Sequence, residues 1–329
     1  MIVVTGGAGF IGSAVVWRLN RRGEKDILVV DHLGVSEKWR NLAPLYFSDY
    51  LDRDVFIDRL ENEAFGDRIR AVIHLGACSS TTERDAGYLM ENNYRYTLRL
   101  AQWQEQHPGC RFIYASSAAT YGDGSRGYRD DESALHALRP LNMYGYSKHL
   151  FDLHAARNGW LDRMVGLKYF NVFGPNEDHK GEMRSVIHKA YPGVRDEGTI
   201  RLFESYRQEY GDGEQERDFI YVKDAAEMTL FFLENRRANG LFNVGTGEAR
   251  SWNDVARAMF RTAGRETRIE YIPMPEALRE KYQYHTCAGT AKLRAAGCAH
   301  RCKPLEDAVD EYIRAYLEKD ARLDPDAEG

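Results

Sequence analysis

The chain opens on a short apolar run, MIVVT, then passes through a glycine-rich turn into a stretch from Ile11 to Arg22 with helical spacing of apolar positions. The same alternation recurs along the first 170 or so residues. Strand-like runs stand at DILVVD (26–31), AVIHLGA (71–77), RFIYASS (111–117) and MVGLKYFNV (164–172). Helical patterns fill Asn92 to Gln106 and Tyr144 to Arg157. Strands alternating with helices predict an α/β fold, a Rossmann-type doubly wound parallel sheet with right-handed crossovers and helices on both faces.

After residue 172 the pattern loosens. GPNEDHKGEM reads as a polar loop, 183–192 as a helix, and FESYRQEYGDGEQE as a long charged and aromatic loop. RDFIYVKDAAEMTLFFLENR returns to strand-then-helix, and LFNVGTG adds a strand and a glycine turn. The expected division is a dinucleotide-binding domain over 1–170, with about 213–243 packing back onto it. A smaller interleaved C-terminal substrate domain is expected from 171–212 and 244–318. Residues 319–329, which end RLDPDAEG, lack apolar periodicity and are expected to be a frayed tail.

Composition narrows the partners. A net charge of -5 gives no electrostatic case for nucleic acid or an anionic membrane. No run of about 18 apolar residues exists to cross a bilayer. MIVVTGG has no basic region before its apolar run and is expected to be a buried strand, not a signal peptide. The five cysteines form no paired CxxC motifs. Cys298, His300 and Cys302 are too sparse for a metal site, so no metal is expected and the thiols read as inert in a reducing, cytoplasmic compartment.

Thr5 to Gly12 reads TGGAGFIG, directly between the first strand and the first helix. Gly7, Gly9 and Gly12 fit G-x-G-x-x-G, and Gly6, Gly9 and Gly12 fit G-x-x-G-x-x-G. Such a loop lets the backbone turn sharply and approach a pyrophosphate, which then sits on the helix N-terminal amides. Asp31, ending the second strand, is placed to accept from an adenosine ribose hydroxyl. Asp31 alone favours NAD, whereas His32, Lys38 and Arg53 could neutralise the extra phosphate of NADP. The residues leave that choice open.

Tyr144 and Lys148 in NMYGYSK (142–148) are four apart and share a helix face, which Tyr146 does not. With 20 tyrosines in the chain, a Tyr-x-x-x-Lys match by itself proves little. Its position after the strand ending Ser116-Ser117 is the stronger sign, because strand C-terminal ends form the ligand crevice of such sheets. Tyr144 is expected as a catalytic acid/base whose phenol is lowered by the lysine and by a cationic nicotinamide ring. Ser117 is expected to hold the substrate oxygen.

TGGAGFIG, SSAATYG, YGYSK, FNVFGP and RDFIYV together resemble the extended short-chain dehydrogenase/reductase superfamily acting on nucleotide sugars. HLGACSSTTE, ENNYRY, YASSAATYG, FNVFGPNEDHKG and KYQYHT are similar, within it, to epimerases of ADP-linked heptoses. The resemblance implies a tightly held NADP, with NAD possible. Gly6, Gly9, Phe10, Ile11, Gly12, Asp31, His32, Lys38, Arg53, Leu75, Gly76, Ala77, Cys78, Ser79, Asn92, Lys148, Val172 and Lys180 would line it. It implies a catalytic set of Ser117, Tyr144, Lys148 and Lys180. Asn171, Glu182, Phe203, Glu204, Ser205, Tyr206, Arg217 and Tyr282 would contact an ADP-sugar substrate. A homo-oligomer, often a pentamer, is implied as well. Leu75, Lys168 and Glu182 depart from the family pattern.

The implied chemistry inverts a carbinol carbon whose C–H is not acidic. Proton removal is therefore too slow, and transient oxidation to a ketone is the open route. Returning hydride to the opposite face moves the oxygen relative to a fixed nicotinamide, so a second acid/base is expected, and Lys180 is the candidate that the resemblance implies. The alternatives are another nucleotide-sugar 4-epimerase or a 4,6-dehydratase. Ala118-Ala119 after Ser117 lack the acid pair that elimination of water requires.

Overall fold

A computed structural model describes residues 1–279 and 282–327. Lys281 of the KYQYHT segment and the last two residues of the expected tail lie outside the described residues. Five strands carry the apolar runs: β1 (Ile2–Thr5), β2 (Ile27–Asp31), β4 (Ala71–His74), β5 (Arg111–Ser117) and β6 (Met164–Tyr169). With β3 (Asp49–Asp52) and β10 (Gly240–Val244) they form a seven-stranded sheet in the order β10-β6-β5-β4-β1-β2-β3. Every pairing in it is parallel. β3 escapes the sequence pattern because DYLD is an edge strand, half exposed and flanked by carboxylates.

Helices cover both faces. Phe10–Arg21 and Val222–Glu234 pack on one, through Ala14, Val15, Leu19, Ala225 and Phe232. Arg53–Glu61, Tyr96–Gln106 and Met143–Arg157 cover the other, through Phe56, Leu60, Leu100 and Phe151. The strand order reverses between β1 and β4, which opens the crevice at their C-terminal ends where ligands of such sheets lie.

Two small sheets form the rest. β7 (Asn171–Phe173), β9 (Glu216–Tyr221) and β11 (Ala249–Ser251) make one, and β8 (Ile200–Phe203) pairs with β12 (Ile269–Ile272) in the other. They enclose a third core of Phe173, Ile187, Tyr191, Met259, Phe260, Val309 and Tyr312. The chain returns to the large sheet through the Val222–Glu234 helix and β10, so β9 belongs to the smaller lobe, although 213–221 was expected with the first.

The expected frayed tail is corrected by the structure. Leu323 is fully buried in the core that includes the Phe10–Arg21 helix. Trp17 Nε1 donates to Asp324 O at 3.1 Å, Arg21 Nη1 to Pro325 O at 3.0 Å, and the Tyr46 hydroxyl to Asp326. Backbone carbonyls captured by side chains, with one leucine as anchor, hold a segment that has no periodicity to betray it.

Candidate active site

The glycine loop is built for close approach. Gly6 adopts φ 68°, and a Cβ there would stand 2.6 Å from Gly76 N. A Cβ on Gly12 would fall 2.0 Å from Gly6 O. The Phe10–Arg21 helix starts at Gly9 with no side-chain cap and no acid in its first turn, so its amides and positive dipole end are left for an anion. These features fit a pyrophosphate-bearing dinucleotide.

The C-terminal strand ends line a cleft of about 690 Å³. Gly6, Gly9, Phe10, Ile11, Gly12, Asp31, Lys38 and Leu75 to Ser79 line one part of it, and Ser117, Tyr144, Lys148, Asn171, Val172 and Lys180 another. Asp31 is buried and closely tied: Oδ2 accepts from Ala8 N at 2.9 Å, Oδ1 from His32 N at 2.7 Å and Lys38 Nζ at 2.6 Å. Its charge is therefore matched in place by an ammonium. His32, Arg53 and Asn92 stand apart from the cleft lining. Asp31 pairs with Asp52 in the β2–β3 register, which places Arg53 at the next position. There Arg53 donates to Asn92 Oδ1, while His32 Nδ1 lies 3.0 Å from Asp52.

Local chemistry positions the tyrosine. Asn142 caps its helix, accepting from Gly145 N at 2.8 Å. Gly145 is needed for contact: a Cβ there would sit 2.8 Å from Ala119 O, in the turn that follows Ser117. Ser117 Oγ accepts from Ala119 N at 3.1 Å and stands beside the Tyr144 phenol. Burial raises the phenol above its ordinary range, and the Ser117 hydroxyl partly offsets this. The expected depression by Lys148 is absent. Lys148 Nζ donates instead to Ala115 O at 2.8 Å, and burial pulls its own pKa down to about 8, against the raising effect of Asp152 and Cys78.

Asp152 was not among the expected residues. It lies one helical turn beyond Lys148, fully buried, and accepts from Ser116 Oγ (2.7 Å), Tyr114 OH (3.0 Å) and Lys168 Nζ (2.6 Å). Its signal was the same four-residue spacing that joins Tyr144 to Lys148. Asn93 was also missed. Its side chain bonds both backbone groups of Cys78, at 2.8 and 2.9 Å, and Ser147 Oγ at 3.0 Å, clamping the Leu75–Ser79 loop to the tyrosine helix.

Lys180 reaches the cleft from the loop after β7. Its Nζ lies 4.9 Å from the centroid of the Phe10 ring, and burial lowers its pKa against the raising effect of Glu177. A phenol and an amine from different elements thus line one cleft. Glu182 lies elsewhere, on a separate cavity of about 440 Å³.

The remaining expected substrate contacts gather in the smaller lobe. Phe203 meets Tyr282 edge to face at 6.5 Å, and Trp252 Nε1 donates to Tyr282 OH at 2.9 Å. Arg217 is buried, with its guanidinium 5.0 Å from the Tyr282 ring and 5.8 Å from that of Trp252. It takes part in no ion pair among the described residues, an arrangement that an anionic ligand would relieve. Glu204, Ser205 and Tyr206 continue from Phe203, with Ser205 N donating to Asp212 and Arg279 stacked 3.9 Å over Tyr206.

The thiols carry no comparable chemistry. All five are free. Asp224, His300 and Cys302 bring ligand atoms within 4.8 Å, but the Asp224 oxygens are occupied by His300 Nε2 at 2.8 Å and Lys303 N at 3.0 Å. They tie the C-terminal segment to a helix start. Among the described residues, no helix is long and apolar enough to cross a membrane.

Comparison with known proteins agrees with the architecture. The profile of the NAD dependent epimerase/dehydratase family matches residues 2–245. An ADP-L-glycero-D-manno-heptose-6-epimerase of Nitratidesulfovibrio vulgaris strain Hildenborough is 57% identical over 325 residues, covering 99% of each chain. Its counterpart in Fusobacterium nucleatum is 45% identical over 329 residues, covering 97% of this chain and 99% of the other. Among solved structures, the Helicobacter pylori ADP-L-glycero-D-manno-heptose-6-epimerase superimposes with a TM-score of 0.78 at 26% identity, over 95% of both chains. The Thermus thermophilus UDP-glucose 4-epimerase in complex with NAD gives 0.72 at 27%, over 96% of this chain and 99% of that one.

Proposed function

The chain belongs to the NAD dependent epimerase/dehydratase family, and from that premise we propose that it inverts C6'' of ADP-D-glycero-D-manno-heptose, giving the L-glycero epimer for lipopolysaccharide inner-core synthesis. The observation that carries this assignment is Lys180 in the same cleft as Ser117, Tyr144 and Lys148. A reductase that works on one face of its substrate needs one acid/base, whereas a ketone held in one orientation and reduced from both faces is served by a second one on the far side.

The chemistry that a bound nicotinamide supplies is reversible hydride exchange with the alcohol carbon. The residues of the chain move the proton. Tyr144 takes the hydroxyl proton of one epimer, Lys180 gives a proton of its own to the oxygen of the other, and exchange with solvent resets both. Ser117 steadies the oxygen between them. Lys148 lies one helical turn from Tyr144 in the same cleft, and burial holds the phenol above its ordinary range, so its ionisation needs positive charge beside it. Arg217 offers the diphosphate a planar fork of donors, with the Tyr282 ring beside it and Phe203 against that ring, while Asn171 meets the substrate from the cleft.

NADP is the favoured cofactor, with NAD as the alternative. Lys38 already balances the charge of Asp31, and Arg53 follows Asp52 at the neighbouring strand end, so a 2'-phosphate reaching that edge would meet an ammonium and a guanidinium. Mass analysis of the nucleotide released on denaturation tests this. A homo-oligomer in the cytoplasm belongs to the same assignment, and light scattering tests its size.

NMR analysis of product from ADP-D-glycero-D-manno-heptose is the decisive experiment. Conversion to the L-glycero epimer without added cofactor is expected. Turnover of UDP-galactose in its place would redirect the assignment to a 4-epimerase. Tyr144→Phe and Lys180→Ala should each lower epimerisation ~10²- to 10⁴-fold, leaving a measurable residue, and near-normal turnover by Lys180→Ala would remove the two-base scheme.

A further inference from the structure

Lys180 sits on a loop with little regular structure of its own, since Gly181 breaks the turn at φ 54°. A catalytic side chain on such a loop must be held from outside it. The holding contacts converge four residues earlier, at Asn176. This residue is almost fully buried and adopts φ 75°, a left-handed conformation uncommon outside glycine. Asparagine tolerates that region at a cost, and such strain persists only where the surroundings fix it.

Three distant segments do so. Asn176 Nδ2 donates to Ser13 Oγ at 2.9 Å, in the first helix just beyond the glycine loop. Asn176 O accepts from Asn41 Nδ2 at 3.1 Å, and Asn176 Oδ1 from Leu323 N at 3.1 Å. Leu323 is the fully buried anchor of the C-terminal segment, and its neighbour Arg322 pairs with Asp178 at 3.3 Å. Asp178 also meets His188 Nε2 at 3.1 Å, which ties the loop to the helix Val186–Pro192.

We infer that Asn176, clamped by the Arg322–Leu323 segment, is the positioning residue that fixes Lys180 in the cleft. This rests on the catalytic role proposed for Lys180. The C-terminal segment then serves the reaction from outside the site. It joins the first cofactor-binding helix to the loop of the second acid/base, so that the two move as one body.

The test is a double-mutant cycle on the holoenzyme. Asn176→Gly removes the side-chain bonds yet accepts φ 75° freely, so backbone strain does not oppose folding. It should lower kcat ~10-fold or more, as misplacement of a reacting group by about 1 Å does, with KM for the ADP-sugar and retained cofactor within about twofold. In a Lys180→Met background the same change should cost less than about twofold of the residual turnover. Arg322→Gln, which leaves Leu323 in the core, should lower kcat in the same direction. Equal losses in both Lys180 backgrounds would show a merely structural role and overturn the inference. So would a normal kcat in Asn176→Gly. Near-normal turnover by Lys180→Met overturns the two-base scheme, and the inference with it.

Discussion

Replacing Lys168 by methionine should expose how the tyrosine helix is held. Lys168 and Asp152 are 1% and 0% exposed, and their charged atoms lie 2.6 Å apart. Lys168 Nζ also donates to Thr120 Oγ1 at 2.7 Å. Methionine preserves most of the stem but leaves the Asp152 carboxylate with only the neutral donors of Tyr114 and Ser116. Removing one partner of a buried pair costs ~3–5 kcal/mol, mostly as the uncompensated charge left behind. At ~2 °C per kcal/mol for a chain of this size, the unfolding midpoint should fall by ~6–10 °C. Asp152→Asn combined with Lys168→Met removes both charges while retaining an acceptor for the two hydroxyls. It should recover most of that loss, with a coupling of ~3 kcal/mol in a thermal or urea denaturation cycle. A single-variant loss below ~1 kcal/mol, or additive losses, would refute the view that this pair is a charge buried with its neutraliser.

Other outcomes follow from the same geometry. Gly12→Ala places a Cβ against Gly6 O and should purify with little bound dinucleotide, read from the absorbance of the released nucleotide. In cofactor-free protein the Lys148 ammonium has a pKa of about 8. Being lowered, it loses its charge as pH rises through that value, so cofactor affinity that depends on the charge should weaken above pH 8, and Lys148→Met should abolish the pH dependence. Asp152→Asn removes a charge that raises the Lys148 pKa, so the same limb should move to lower pH in a titration of cofactor binding. Arg217→Met should raise KM for the ADP-sugar ~10- to 100-fold, the worth of charge-assisted hydrogen bonds at ~1.5–3 kcal/mol. The unfolding midpoint should hold or rise, because a buried unpaired cation has been removed.

How much of this was legible in the sequence depended on the kind of signal. The glycine loop, the alternating runs and the Tyr144–Lys148 spacing are local patterns whose physics acts over a few residues, and they led to the fold and half the cleft. The same spacing reaches Asp152, but its role is set by Tyr114, Ser116 and Lys168 on other elements. β3 was hidden because an edge strand needs no apolar alternation, and the C-terminal segment because carbonyls accept hydrogen bonds whatever side chain they carry.

What the sequence determined by itself was the doubly wound sheet, since its strands are apolar runs, and the cradle at Gly6 and Gly12, since only glycine admits those approaches. The tertiary structure alone decided the electrostatics. It raised Tyr144 instead of lowering it, set Lys148 near 8, neutralised Asp31 with Lys38, and brought Leu323 to Asn176 across the fold. Charge and burial depend on distances between segments far apart in the chain, and no periodicity encodes those distances.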